Sequence, residues 1–232
     1  MTINFDVISD LNLSPDSNFN WETKPTSLYC IIAGNISSDL KVIASTIGHL
    51  SKIYQGVFYT PGPLEYENST NFEKTTNDII RAIRKYKNVA ILHNHVVIID
   101  GIALLGCNGW QTKKEIQDVE KLELMTSQLY DDIVYVKNSI EKLQKHLDIK
   151  KIVIISSAVP LNHLYYGEIP KHISGLPQLA LALSTDSQCK VSNWVFGTQE
   201  KIVDTTIGNI NYLNNGSFNK EPYWPKRIEV DI

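Results

Sequence analysis

His93 and His95 flank Asn94 in a strand-like stretch, where alternate positions would place both imidazoles on one sheet face. That resembles a two-ligand metal arrangement, although a hydrogen-bonded or surface pair is the plainer reading. His163 follows Pro160 by three residues and could enter a pocket formed by neighbouring loops, whereas His49, His146 and His172 fall at helix ends or in loops. Ser156 and Ser157 have no recognisable base partner, and the Gly-x-Ser-x-Gly elbow is missing, which argues against serine hydrolysis. Neither a P-loop nor a dinucleotide-binding glycine fingerprint is present. Cys30, Cys107 and Cys189 are odd in number, far apart and in or beside apolar runs. Each therefore reads as a buried thiol in a reduced, cytoplasmic setting.

The richer signal lies in five loops, each directly after a strand-like run. They read Ser9-Asp10-Leu11-Asn12, Ala33-Gly34-Asn35-Ile36, Thr60-Pro61-Gly62-Pro63-Leu64-Glu65, Ser156-Ser157-Ala158-Val159-Pro160 and Gly197-Thr198-Gln199-Glu200. In α/β proteins such loops converge at one edge of the sheet, where the chemistry usually sits. Gly34, Gly62 and Gly197 suit places where the backbone must turn sharply after a strand. Asn12 and Asn35 can hydrogen-bond within their loops and hold them in shape.

The elements that must position these loops alternate along the chain. Ile3–Ser9, Ser27–Ala33 and Gly56–Tyr59 read as short strands. The stretch 38–50 has helical spacing, with Leu40, Ile43, Ile47 and Leu50 on one side, and 71–86 repeats it with Ile79, Ile80 and Ile83. This βαβα order predicts a largely parallel sheet, because parallel strands need crossovers. Val89–Leu92, Val96–Ile99 and Ile102–Gly106 are separated only by short polar turns, which predicts adjacent antiparallel strands. Thr112-Lys113-Lys114-Glu115 has the form of a capping box. Behind it Ile116, Val119, Leu122, Met125, Leu129, Ile133, Val136, Ile140, Leu143 and Leu147 form a core stripe on one long helix or two with a bend. Lys151–Ile155 and Val191–Phe196 read as buried strands, Leu176–Leu183 as a short helix, and the tail as strands over 202–206, 209–213 and 227–230. No repeat, low-complexity linker or charge block marks a boundary, so one domain spanning residues 1–232 is expected.

Bulk composition narrows the function classes. The net charge of −3 and pI near 6.1, without a basic cluster, give no electrostatic footprint for nucleic acid. Arg81-Ala82-Ile83-Arg84-Lys85 reads as the wet face of a helix. The start lacks a basic segment followed by an apolar run, so no secretory signal is expected, and no stretch is long enough to span a membrane.

In order and spacing the five loops resemble the signature blocks of calcineurin-like metallophosphoesterases, in particular small bacterial and phage-type members. That family carries Asp-x-His after its first strand, then Gly-Asp, Gly-Asn-His-Asp/Glu, a block near His-His-x-Pro, and Gly-His-x-His. The resemblance continues outside the loops. It includes Trp21 and Pro25 before the second strand, the hairpin-like Val97–Trp110, Asn193-Trp194-Val195-Phe196-Gly197, and the closing Leu213-Asn214-Asn215-Gly216 with a terminal strand. It implies an αββα sandwich of two mixed sheets flanked by helices. The family's chemistry needs two divalent ions roughly 3.5–4 Å apart to clamp a phosphate and generate hydroxide. At an effective dielectric of about 20 two such dications repel by on the order of 20 kcal/mol, so anionic bridges are required.

Carried over by position, Asp10 is the one metal ligand kept. Asn35 replaces the bridging Asp, and Asn12 a His ligand. Pro63 and Leu64, after Gly62, replace an Asn ligand and the His that would protonate the leaving oxygen. Ser157 stands at the His-block position, and Thr198 and Glu200 at the closing pair. The resemblance thus implies a vestigial pocket with no catalytic residue and no cofactor, where the family uses manganese, iron or zinc. The function expected is a pseudoenzyme acting as a binding, scaffold or assembly module, with a protein partner or self-association. The alternative is a hydrolase with an altered or single-metal site built from Asp10, Glu200 and His163.

Overall fold

The computed structural model describes residues 1–17, 19–21, 24–111, 116–199, 201–216 and 223–232. The first sheet has the order β11-β1-β2-β3-β4, formed by β1 (Thr2–Ser9), β2 (Tyr29–Ala33), β3 (Gly56–Thr60), β4 (Val89–Ile91) and β11 (Lys226–Asp231). Strands β1 to β4 run parallel, and β11 is antiparallel to β1. The second sheet has the order β5-β6-β7-β8-β10-β9, formed by β5 (His95–Ile99), β6 (Ile102–Cys107), β7 (Lys151–Ser156), β8 (Val191–Phe196), β9 (Val203–Ile207) and β10 (Ile210–Asn214). Its middle strands are parallel, and the outer strands β5 and β9 are antiparallel to their neighbours.

Period-two alternation sorts the core into three packed zones. Ile31 and Ala33 of β2 and Val153 and Ile155 of β7 meet between the sheets. Cys30 and Ile32 point the other way, onto α1 (Leu40–Ile53) and α2 (Phe72–Ile83). Ile152 and Ile154 likewise pack on α3 (Val119–Leu143) and on the 3₁₀ stretch Leu179–Thr185. The layers are therefore αββα, as the sequence predicts. Strands buried on both faces explain why these segments read as continuous apolar runs. Caps set the helix starts. The Asp39 side chain accepts from Lys41 N and Val42 N, Asn71 from Lys74 N, and Asp118 from Lys121 N. The β5–β6 hairpin turns on Asp100-Gly101, both with positive φ, the Asp-Gly signature of a two-residue hairpin.

Several expectations need correction. Strand β4 does not pair with β5: it closes one edge of the first sheet, and the chain then crosses to the second. Asn94 makes that crossing with φ 47°, so His93 and His95 are not alternate residues of one strand. The core stripe lies on one continuous helix, but Val119 is exposed, and exposed Leu147 falls beyond the helix end. Ile80 and Leu40 are partly exposed rather than buried with their helical neighbours. The segment read as a helix over Leu176–Leu183 is 3₁₀ from Leu179, and a short helix α4 (Lys171–Ser174), unforeseen, precedes it. Cys30 and Cys107 are buried, but Cys189 is exposed in a turn with φ 51°. The capping box at Thr112–Glu115 lies outside the described residues. No helix among the described residues is long and apolar enough to cross a membrane.

Candidate functional site

Parallel strands deliver their C-terminal loops to one edge, and there the two sheets are tied together by hydrogen bonds around Asp10 and Asn35. Asp10 follows β1 with φ 53°, and its carboxylate is 5% exposed. Oδ1 accepts from Asn35 Nδ2 at 2.7 Å and Thr198 N at 2.8 Å. Oδ2 accepts from Asn214 Nδ2 at 3.2 Å and Gln199 N at 3.3 Å. A carboxylate has about four lone-pair sites, and all of these are in use. Burial pushes the Asp10 pKa up to about 6, against the pull of its hydrogen bonds from Asn35, Thr198, Gln199 and Asn214.

Asn35, also left-handed with φ 56°, is the hub. Its Nδ2 donates to both Asp10 Oδ1 and Thr198 Oγ1, the latter at 3.2 Å, while its Oδ1 accepts from Leu64 N at 3.2 Å. Its carbonyl accepts from Asn12 N. Thr198 Oγ1 donates onward to the Ser157 carbonyl at 2.6 Å. Ser157 Oγ donates to the Asn108 carbonyl, and Asn108 Nδ2 to the Pro61 carbonyl. Asn12 is exposed, and its Nδ2 folds back to the Asp10 carbonyl. The structure thus brings Asp10, Asn12, Asn35, Leu64, Ser157 and Thr198 into one web. Gly62 and Pro63 hold its rim: a Cβ on Gly62 would lie 2.7 Å from Asn35 Oδ1. His163 is exposed on the 3₁₀ turn Asn162–Leu164. Glu200 lies outside the described residues.

Left-handed backbone at Asp10, Asn12, Asn35 and Thr198 concentrates strain in this web. The Thr198 conformation is a genuine outlier for a β-branched residue, at a cost of order 1–3 kcal/mol. The glycines need separate reasons. Gly34 has φ 70° and suits a sharp turn, but Gly62 is extended. Gly197 is required by contact, since a Cβ there would lie 2.3 Å from the Ala33 carbonyl oxygen.

Sequence reasoning missed a second buried carboxylate. Glu65 Oε1 accepts from Ile36 N and Tyr59 Oη, and Oε2 from Gly62 N and Asn35 N, at 2.6–3.2 Å. Burial pushes its pKa up to about 7. It fixes the backbone that carries Asn35. The acid closing the Gly-Asn-His-Asp/Glu block was the signal that could have found it. Asn214 Nδ2 and Gln199 N, which also serve Asp10, lie in blocks the sequence singled out, but their role appears only once loops from both sheets meet.

The residues present do not fit a two-metal centre. An amide NH₂ faces Asp10 with hydrogens, where a bridging ligand must offer lone pairs. Asp10 has no acceptor site left among its protein partners. No group of three or more His, Cys, Asp or Glu among the described residues could hold a metal ion.

Comparison with known proteins identifies the architecture. No family model matches the sequence, and no curated protein is similar in sequence. Solved structures with the metallophosphoesterase fold match it closely in shape. One is phosphopantetheinyl hydrolase from Mycobacterium tuberculosis, with TM-score 0.67 and 12% identity over 97% of this chain and 95% of that one. Another, assigned as a 5′-nucleotidase from Staphylococcus aureus, gives TM-score 0.55 and 11% identity over 94% of this chain and 49% of that one.

Proposed function

This chain has the metallophosphoesterase fold, and we propose that it works on that fold as a single-domain binding, scaffold or assembly module without two-metal hydrolysis. The observation that carries the reading is the Asn35 amide, which donates to both Asp10 and Thr198 at the position where the resemblance puts a bridging carboxylate. Hydrolysis of this kind needs a metal clamp, a metal-activated hydroxide and an acid for the leaving oxygen. The web supplies none of the three: Leu64 stands at the acid's position, and Asp10 is saturated by protein donors. Its hydrogen bonds instead lock loops from both sheets, which suits a rigid scaffold.

The test is hydrolysis of a generic phosphodiester and a phosphomonoester with manganese added. The protein should give no rate above that of manganese alone. A rate abolished by chelation would overturn the proposal in favour of a hydrolase with a rebuilt site.

A further inference from the structure

Strand β4 closes the first sheet, and its outer edge pairs with no strand among the described residues. The Asn88 carbonyl accepts from Val57 N, and Leu92 N donates to the Tyr59 carbonyl, so residues 88, 90 and 92 turn their peptide groups toward β3. Alternation then turns those of Val89 and Ile91 outward. Val89 N is taken by the Tyr86 carbonyl. The Val89 carbonyl and both backbone groups of Ile91 remain, an acceptor-donor-acceptor row that a further strand would match.

A groove of about 460 Å³ runs along this edge, between it and α2. Its floor is apolar, from Val89, Ile91, Ile83 and Ile80, the last 42% exposed. Arg84 and Lys87 stand on its rim, and no Asp or Glu lines it. None of the lining residues belongs to the loop web around Asp10. Natural sheets usually blunt or cover such an edge; here an exposed isoleucine lies beside it.

We propose that this edge is a docking site for an extended acidic peptide, added as a further strand beside β4, whose groove-facing alternate residues are apolar over the floor and acidic beside Arg84 and Lys87. Backbone pairing with Val89 and Ile91 would supply affinity, and alternate side chains entering the groove would supply specificity. The charge decides against a second copy of this chain: β4 pairing with its own symmetry mate would bring Arg84 and Lys87 of both copies together. The inference stands whether or not the loop web hydrolyses anything.

Fluorescence anisotropy with a labelled synthetic peptide Glu-Thr-Val-Thr-Val-Thr-Glu, which puts valine and glutamate on one face, tests it, using the full chain. Binding is expected, weakened at least about tenfold by the Arg84→Glu, Lys87→Glu double variant. The same peptide with lysine for glutamate should not bind. N-methylation of the peptide should abolish binding at alternate amides and spare those between, because only every second N–H can face β4. Both substituted residues are exposed, and circular dichroism would verify the fold of the double variant. Absence of binding, indifference to the charge reversal, or equal effects of every N-methyl group would overturn the proposal. So would a dimer in sedimentation that the double variant dissociates, since the edge would then serve self-association.

Discussion

Replacing Asn35 by Asp tests whether the web is built around an amide. In the parent, Asn35 Nδ2 lies 2.7 Å from Asp10 Oδ1, and the two residues are 7% and 5% exposed. A carboxylate at residue 35 would replace a donor by a second anion. At about 4 Å and an effective dielectric of about 20, two charges repel by about 4 kcal/mol. The pair can escape by sharing a proton. Holding that proton against an unfolded pKa of about 3.9 costs about 1.4 kcal/mol per pH unit. Asp10 itself keeps a proton up to about pH 6 in the parent, so the difference from the parent opens only above about pH 6, reaching about 1.4 kcal/mol near pH 7 and about 3 kcal/mol near pH 8. Urea denaturation of parent and Asn35→Asp across this range, with a chelator present, measures it. A variant as stable as the parent near pH 8 would refute the account of Asp10 as a saturated, buried anion. Recovery of stability on adding manganese would show a latent metal site and refute the fit argument as well.

Three further outcomes follow from the same contacts. Burial pushes Asp10, Glu65 and Asp132, the last a buried residue of α3 that accepts from Gly109 N and Asn94 Nδ2, up to about 6, 7 and 6. Their folded forms hold protons that the unfolded chain releases near pH 4, so stability should fall by at least about 2 kcal/mol as pH rises from about 4 to 7; a flat or rising urea midpoint would contradict this. Glu65→Gln replaces one of two acceptor oxygens by an NH₂ that faces backbone donors or Tyr59 Oη. It should cost about 2–4 kcal/mol by chemical denaturation, and a loss under 1 kcal/mol, well below that of an unpaired buried donor, would exclude the anchoring role. Gly34→Ala would set a Cβ 2.4 Å from Ser157 Cβ at φ 70°, so a loss of at least about 2 kcal/mol is expected in the same assay.

Legibility in the sequence followed the range of the interactions. Strand β8 was readable to its ends because buried β-branched and aromatic residues sit between polar turns, and apolar spacing over 38–50 and 71–86 put two helix starts close to the caps Asp39 and Asn71. The change of sheet between β4 and β5 was not readable. A polar turn looks the same whether the next strand folds back or crosses over, and only the left-handed Asn94 and the packing of both sheets distinguish them. The exposure of Ile80 beside a free strand edge was hidden for the same reason, since helical spacing names a face but not what covers it. At the web, the position of Asp10 and Asn35 after successive strands was legible. What Asn35 does was not: its amide binds partners from three other loops, including Thr198, 163 residues away. Glu65 stayed without a role because two of its four donors, Asn35 N and Ile36 N, lie in the loop after β2, 30 and 29 residues back in the chain.

The proposal that this chain carries no two-metal centre on its metallophosphoesterase fold is tested most directly by the metal content of the purified protein. After expression with manganese, iron and zinc supplied and dialysis against metal-free buffer, elemental analysis should find far less than one metal ion per chain. Roughly two equivalents, the stoichiometry of a dinuclear hydrolase, would contradict the account, because Asp10 and Asn35 would then have to release each other to bind them.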